Sequence, residues 1–313
     1  MKNILLTGSS GFIGSYFKKN YQDKYNIDTF SFLNNNFKEL NLSDTNTIIH
    51  LSALVHQMGG AIKEEYEKVN VTQTIELANK AKSSGVKHFI FMSTIAVYGI
   101  EIGIISENSD YNPITDYGKS KLKAELELKK LEDDNFKISI IRPAIVNGYK
   151  APGNMKSLIN LVNKVSALPF ANIQNKRSMI YVGNLCYMID TLIGMTDGLD
   201  CRASLAMTEK VARNDGDAMT RGNIFLASDD EPLSTTRLIE LIANGLGKKV
   251  YLVKIPFFES LLKLVKPSFH KRLYGSLEVD NSHSMKRLFG EDKSSLPFSV
   301  EDGIKFMLNG EDK

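Results

Sequence analysis

Tyr117 and Lys121 stand four residues apart in the run Tyr117-Gly118-Lys119-Ser120-Lys121. On a helix both side chains leave the same face. A phenol titrates near pH 10 and is a poor base at neutral pH, but an ammonium group one turn away favours the phenolate. The pair therefore reads as a proton exchanger. Tyr117 takes or returns the proton, while Lys121 holds the phenolate ionised and reaches the ribose of a bound nucleotide. The same spacing also suits two solvated residues on a surface helix, so the neighbouring elements must decide.

The chain opens with a short apolar run, Asn3-Ile4-Leu5-Leu6-Thr7, followed at once by Gly8-Ser9-Ser10-Gly11-Phe12-Ile13-Gly14 and a helical stretch from Ser15 to Asn20. Strand, glycine turn and helix in that order place backbone N–H groups against a phosphate. The glycines serve a tight turn, a close approach to pyrophosphate and close helix–strand packing. Further on, His88-Phe89-Ile90-Phe91-Met92 reads as a buried strand and ends in the hydroxyl pair Ser93-Thr94, before Ile95-Ala96-Val97-Tyr98-Gly99. Open α/β sheets place their ligands at such strand ends. A hydroxyl there can hydrogen-bond a substrate oxygen beside the Tyr117 phenol, although a turn cap is the simpler role for the pair.

Glycine turn, Ser-Thr strand end and Tyr-x-x-x-Lys, in this order and at these spacings, resemble the extended short-chain dehydrogenase/reductase family, in particular its NAD-dependent nucleotide-sugar epimerases and dehydratases. The likeness continues through Arg142-Pro143, Gly153-Asn154, Arg177-Ser178-Met179-Ile180-Tyr181-Val182 and Val279-Asp280-Asn281-Ser282. It implies an α/β fold, a Rossmann-like doubly wound parallel sheet with a smaller α/β C-terminal substrate domain. By the same resemblance Thr94, Tyr117 and Lys121 are catalytic. Gly8, Ser10, Gly11, Phe12, Ile13 and Gly14, then Leu51, Ser52, Ala53, Asn70 and Pro143, bind the cofactor together with Tyr117 and Lys121. Asn154 and Arg177 hold the nucleotide diphosphate of the substrate beside Thr94 and Tyr117; the planar fork of arginine suits two phosphate oxygens. Ile145 stands where many relatives carry an asparagine, so one substrate contact is absent.

The organisation expected along the chain follows. Residues 1–150, with about 178–193, form the cofactor domain; residues 151–177 and 194–313 form the substrate domain, with a surface insertion at 195–221. Tyr25 to Phe32 reads as the second strand, ending at Ser31 without the acidic residue that holds ribose hydroxyls in NAD-binding folds. No arginine stands ready for a 2′-phosphate either, so these residues leave the choice open; NAD is expected from the resemblance, with NADP possible. An abbreviated third strand is expected within 37–44, then a buried strand at Thr47–Ala53, with His56 beyond it as a loop residue within substrate reach. Ala61 to Ser84 reads as one long helix, and the Tyr117 helix runs to about Lys130. Pro256 to Lys266 combines Phe257, Phe258, Leu261, Leu262 and Val265 with Lys263 and Lys266. That pattern suits a membrane surface but is expected to pack on its own domain.

Composition excludes several classes. A chain of 313 residues, 42% hydrophobic and 24% charged, is that of a globular protein with a large core. A net charge of +3 with dispersed basic residues does not point to nucleic acid. Cys186 and Cys201 indicate no disulfide framework and suit a reducing cytoplasm. His50, His56, His88, His270 and His283 show no metal-ligand spacing. No apolar run is long enough to cross a bilayer.

The expected activity is thus a 4-epimerase acting on a UDP-hexose or UDP-N-acetylhexosamine through a 4-keto intermediate, in a chain whose resemblance also admits a homodimer. The alternative is an NAD(P)H-dependent reductase of a UDP-4-keto-hexosamine. A non-catalytic nucleotide-binding regulator is disfavoured because Thr94, Tyr117 and Lys121 are all present. Dehydration is disfavoured because Ile95-Ala96 follow Thr94 where family 4,6-dehydratases carry Asp-Glu.

Overall fold

The apolar runs become the strands of one parallel sheet. Thr47–His50 and His88–Met92 are buried at every residue, as is expected of inner strands covered on both faces. The six-stranded order is Ile224–Ala227, Lys137–Pro143, His88–Met92, Thr47–His50, Lys2–Thr7, Tyr25–Phe30. Register along it pairs Thr7 with Phe30 on one side and with His50 on the other, so the ends of the inner strands are level. The computed structural model describes residues 1–55, 61–195, 223–290 and 296–310. His56 and the insertion, from residue 196 to 221, lie outside the described residues.

The chain divides into two compact units. One comprises Met1–Gly99, Ser109–Arg142 and Met188–Leu226; the other comprises Ile100–Asn108, Pro143–Tyr187 and Ala227–Lys313. These boundaries differ from those read off the sequence. Residues 178–187 group with the second unit, and Ile224–Ala227, read as substrate domain, is the outer strand of the first unit's sheet.

In the first unit, Leu77, Ala78 and Ala81 of the helix Gln73–Ser83, with Ala124 and Leu128 of the helix Asp116–Lys129, pack on Phe89, Phe91, Ile138 and Ile140. In the second, the helices Asn154–Lys164, Thr235–Gly245 and Val300–Asn309 enclose a separate core around Val162, Ile239, Ile242 and Ile304. Ser234 caps the middle helix, its Oγ accepting from Arg237 N–H at 3.0 Å. Among the described residues no helix is long and apolar enough to cross a membrane.

Three expectations are corrected. Residues 37–44 hold no strand, only a single 3-10 turn at Phe37–Glu39. The inner side of Lys2–Thr7 is already taken by Thr47–His50, and Phe37 packs against Phe32 at 5.5 Å instead of extending the sheet. The helix expected over Ala61–Ser84 is interrupted: Lys63–Tyr66 leads into a π-helical stretch, Glu67–Thr72, before Gln73–Ser83. The segment around Pro256–Lys266 does form a helix, Phe258–Val265, which meets the second unit's core through Phe258, but no residue in it is fully buried. Its Leu264 is 82% exposed.

Candidate active site

The helix that carries Tyr117 starts where its sequence asks it to. Thr115 is the N-cap, its Oγ1 accepting from Gly118 N–H at 3.1 Å, and Asp116 places a carboxylate in the first turn. Gly118 then lets the helix meet the Ser93-Thr94 turn directly. A Cβ there would lie 2.8 Å from the Ala96 carbonyl oxygen, so any larger residue would push Tyr117 away from Thr94. At this contact the Tyr117 phenol lies beside Thr94, whose hydroxyl favours the phenolate. Thr94 also accepts from Ala96 N–H at 3.2 Å, fixing its side chain at the mouth of the turn. The Tyr66 ring lies 6.4 Å from that of Tyr117.

Lys121 sits one turn further along and is 1% exposed. Its Nζ donates to the Met92 carbonyl at 2.8 Å and lies over the Phe91 ring, 4.4 Å from the centroid. Burial lowers its pKa to about 7, with Glu125 pulling in the opposite direction. Burial likewise pushes the Tyr117 phenol up to about 12, against the pull of Thr94, and Tyr66 adds to the rise. At neutral pH the phenol therefore keeps its proton, the reverse of the lowering that the four-residue spacing suggests. The reason is burial of the phenol, which the lysine does not offset because its Nζ is directed at the Met92 carbonyl.

Behind Lys121 lies a fully buried polar network. Arg142 donates through Nε to Glu125 at 3.0 Å and through Nη2 to the other Glu125 oxygen, and Ser93 Oγ donates to Glu125 as well. Arg142 Nη1 completes the set with the Tyr98 hydroxyl at 2.7 Å. Burial works against the guanidinium, but the Glu125 contact outweighs it and raises the Arg142 pKa.

The glycine turn connects to the same helix through side chains. Gly8 has φ +71, and a Cβ on it would lie 2.8 Å from the backbone of Leu51 and Ser52, which brings the ends of two strands into contact. Ser52 N–H donates to Thr7 Oγ1, which meets His50 Nδ1 at 2.7 Å, and His50 Nε2 meets Thr74 Oγ1 at 2.9 Å. Thr74 gives its one proton to the Asn70 carbonyl, so His50 donates from Nε2 and accepts at Nδ1. Burial lowers the His50 pKa to about 3, with Lys121 adding to the effect, and the ring stays neutral. Asn70 lies on the π-helical stretch, where such irregularities often mark function. Its side chain donates to Leu54 O and Ser120 Oγ, both at 3.0 Å, and accepts from Leu54 N–H at 2.8 Å. Asn70 thus clamps the strand end at Leu54 to the Tyr117 helix.

The start of the helix Phe12–Tyr21 fits a dinucleotide phosphate. Its N-cap is Gly11, no side chain caps it, and its first turn carries no carboxylate. Ser10 and Gly11 are exposed, so the helix-start N–H groups stand open to an anion. At the next strand end, Ser31 and Asn35 bond each other in a local turn, Ser31 N–H donating to Asn35 Oδ1 at 3.0 Å.

Pro143 closes the strand Lys137–Pro143 and is buried, whereas Ile145, just beyond it, is 46% exposed. Asn154 opens the helix Asn154–Lys164 in the second unit. Arg177, in the same unit, is held by backbone bonds to Leu233 and by Nη1 donating to Gly275 O at 3.2 Å. Burial and the nearby Arg272 lower its pKa.

Sequence reasoning missed Glu125 and Ser120. Both lie on the helix face that carries Tyr117 and Lys121, at positions 3, 4 and 8 from Tyr117 with Lys121. That spacing was the available signal, concealed within a Lys/Glu-rich helix whose other charges are exposed or half-buried.

The NAD-dependent epimerase/dehydratase family model matches residues 4–201. The UDP-glucose 4-epimerase of Vibrio cholerae is 32% identical, over 97% of this chain and 94% of its own length. An N-acetyl-alpha-D-glucosaminyl-diphospho-ditrans,octacis-undecaprenol 4-epimerase of Escherichia coli O157:H7 is 28% identical, over 60% of this chain and 62% of its own. Among solved structures, a UDP-glucuronic acid 4-epimerase from Bacillus cereus in complex with NAD superposes with a TM-score of 0.69, covering 98% of this chain and 97% of that one at 20% identity.

Proposed function

The chain belongs to the NAD-dependent epimerase/dehydratase family, and on that premise we propose that it is a nucleotide-sugar 4-epimerase, acting on a UDP-hexose or UDP-N-acetylhexosamine with NAD, or alternatively NADP. The observation that carries this reading is the pairing of the Tyr117 phenol with Thr94 at the strand end, with Lys121 buried one turn behind it. Supporting it are the uncapped helix after the glycine turn and the relatives, whose names carry 4-epimerase.

Bound at the glycine turn, oxidised nicotinamide dinucleotide supplies a hydride acceptor and a cationic ring. The open N–H groups at Phe12, Ile13 and Gly14 would hold its pyrophosphate, with Leu51–Ala53 backing it. Tyr117 exchanges a proton with the sugar 4-oxygen, and Thr94 hydrogen-bonds the same oxygen. Lys121, half protonated near neutrality, adds positive charge that favours the phenolate once it turns from Met92. Glu125 keeps part of that charge in place. Asn154 and Arg177 take the nucleotide diphosphate. Ile95 and Ala96 offer no group for moving a proton and hydroxyl at carbons 5 and 6, so the chemistry stays at carbon 4.

The test is incubation of purified protein with UDP-glucose and UDP-N-acetylglucosamine without added cofactor, followed by NMR of the sugar. An axial 4-hydroxyl product is expected. No conversion, together with NADPH-dependent reduction of a 4-keto sugar, overturns the epimerase reading in favour of the reductase. A second reading, a hexosamine carried on a polyprenyl diphosphate, is favoured by the apolar exposed face of the helix Phe258–Val265. Turnover of that lipid-linked sugar with no turnover of either UDP-sugar separates the two.

A further inference from the structure

Eight large apolar side chains between Tyr251 and Phe269 are exposed, among them Phe257 at 86%, Leu264 at 82%, Val265 at 64% and Leu261 at 59%. Leu261, Leu264 and Val265 follow the i, i+3, i+4 pattern and share one face of the helix Phe258–Val265. That face does not look into the protein. The helix is attached along its neighbouring edge, where Phe258 packs edge-on against Phe170 at 6.2 Å and joins the second unit's core. A second short helix, Pro267–Tyr274, follows after a break at Lys266 that Pro267 enforces. It is fixed through Leu273, whose carbonyl accepts from Thr235 Oγ1 at 2.6 Å, and leaves Phe269 outward at 44% exposure. Phe257, just before the first helix, adopts φ +61 with its ring in solvent. This is a strained conformation for a bulky residue, and local strain of this kind points to function.

The segment that forms this face is rich in cations, of which Lys271 is paired with Glu101. Residues 248–274 contain seven Lys and Arg against the single acid Glu259, a local net of +6 in a chain whose total is +3. Lys254, Lys263, Lys266 and Arg272 are exposed, and none of them forms an ion pair with a carboxylate among the described residues. A second copy of the same face is a poor occupant, because a two-fold contact would bring these cations against their own mates. A surface that is apolar below and anionic above is complementary to both properties. The helix of eight residues, about 12 Å long, is too short to cross a hydrocarbon layer of about 30 Å. It is built to lie along an interface.

We propose that the face formed by Phe257, Leu261, Leu264, Val265 and Phe269 docks the protein on an anionic phospholipid surface, the apolar side chains entering the headgroup boundary while Lys254, Lys263, Lys266 and Arg272 meet lipid phosphates. The proposal goes beyond the epimerase reading and does not depend on which sugar is turned over.

The experiment is co-sedimentation of the full chain with sucrose-loaded vesicles, either pure phosphatidylcholine or phosphatidylcholine with phosphatidylglycerol. Binding to the anionic vesicles at physiological salt is expected, falling at high salt, with little binding to the neutral ones. Leu264→Glu should weaken that binding on the order of tenfold or more, since it places a charge where an apolar side chain enters. The pair Lys263→Gln and Lys266→Gln should weaken it less and flatten the salt dependence. Both changes are at exposed positions outside the proposed catalytic machinery, so turnover of a soluble nucleotide sugar should be unchanged. Wild-type protein that stays in the supernatant, or a Leu264→Glu variant that binds equally well, overturns the proposal. A wild-type dimer that Leu264→Glu converts to a monomer, without vesicle binding, assigns the face to a second copy and overturns it too.

Discussion

Glu125 and Arg142 meet through two hydrogen bonds with their side chains 1% and 0% exposed, joining the helix of Tyr117 to the strand Lys137–Pro143. The pair lies one helical turn beyond Lys121, so the same carboxylate anchors the helix and supplies the negative charge that partly restores the lysine's pKa. Ser93, at the end of the adjacent strand, donates to Glu125 too. The strand end that bears Thr94 and the helix that bears Tyr117 are therefore registered by one buried acid.

Glu125→Gln should accordingly destabilise the protein by about 3–5 kcal/mol, because it leaves the Arg142 guanidinium buried without its counter-charge. Urea unfolding at pH 7 measures this. A loss below about 1 kcal/mol would mean that water reaches the pair.

Tyr117→Phe removes only the phenolic oxygen and leaves the ring against Tyr66. Turnover should fall by about 10²–10⁴, the usual contribution of general acid–base catalysis, while the unfolding midpoint and any co-purified nucleotide stay as in the parent. Parent-level turnover in this variant would remove Tyr117 from the mechanism.

Lys121 gives a pH signature. Its folded pKa of about 7 lies below the ordinary 10.5, so the unfolded chain holds the proton over the window between them. The resulting destabilisation is complete below pH 7 and is relieved as pH rises toward 10.5. Lys121→Met should therefore gain stability relative to the parent at pH 6 and keep less than half of that advantage at pH 9, while being inactive at both. Urea midpoints at the two pH values decide the matter; a pH-independent difference would contradict the shift.

Gly14→Ala should break the cofactor turn. The added Cβ would lie 2.2 Å from the Gly8 carbonyl oxygen, a backbone atom that cannot swing aside as a side chain would. Overpacking of this kind costs about 1–3 kcal/mol, and the variant should purify without bound nucleotide, read from its absorbance after denaturation.

Much of this was legible because the signals were local. His88–Met92 has the same ends in sequence and structure, since a buried parallel strand is written as a continuous apolar run closed by a polar pair. The caps at Thr115 and Ser234 are equally local in the structure, each acting within three residues. What escaped depends on distant partners. The extra residue per turn at Glu67–Thr72 leaves the apolar stripe nearly intact, so Asn70 could be noticed but not its grip on Leu54 and Ser120. The rise of Tyr117 to about 12 comes from burial, which no four-residue spacing encodes. The Phe258–Val265 helix has an amphipathic pattern that reads alike whether its apolar face meets the protein or something else.

The outer strand Ile224–Ala227 has a consequence for the order of synthesis. It covers the free edge of Lys137–Pro143, yet about 80 residues separate the two in the chain. At roughly 5–20 residues per second on the ribosome, that edge waits on the order of ten seconds for its partner. During this interval the nascent sheet presents Ile138 and Ile140 beside unpaired backbone groups, the arrangement that recruits foreign strands. A fragment ending at residue 201, where the family match stops, would keep that edge open permanently and should aggregate where the full chain folds.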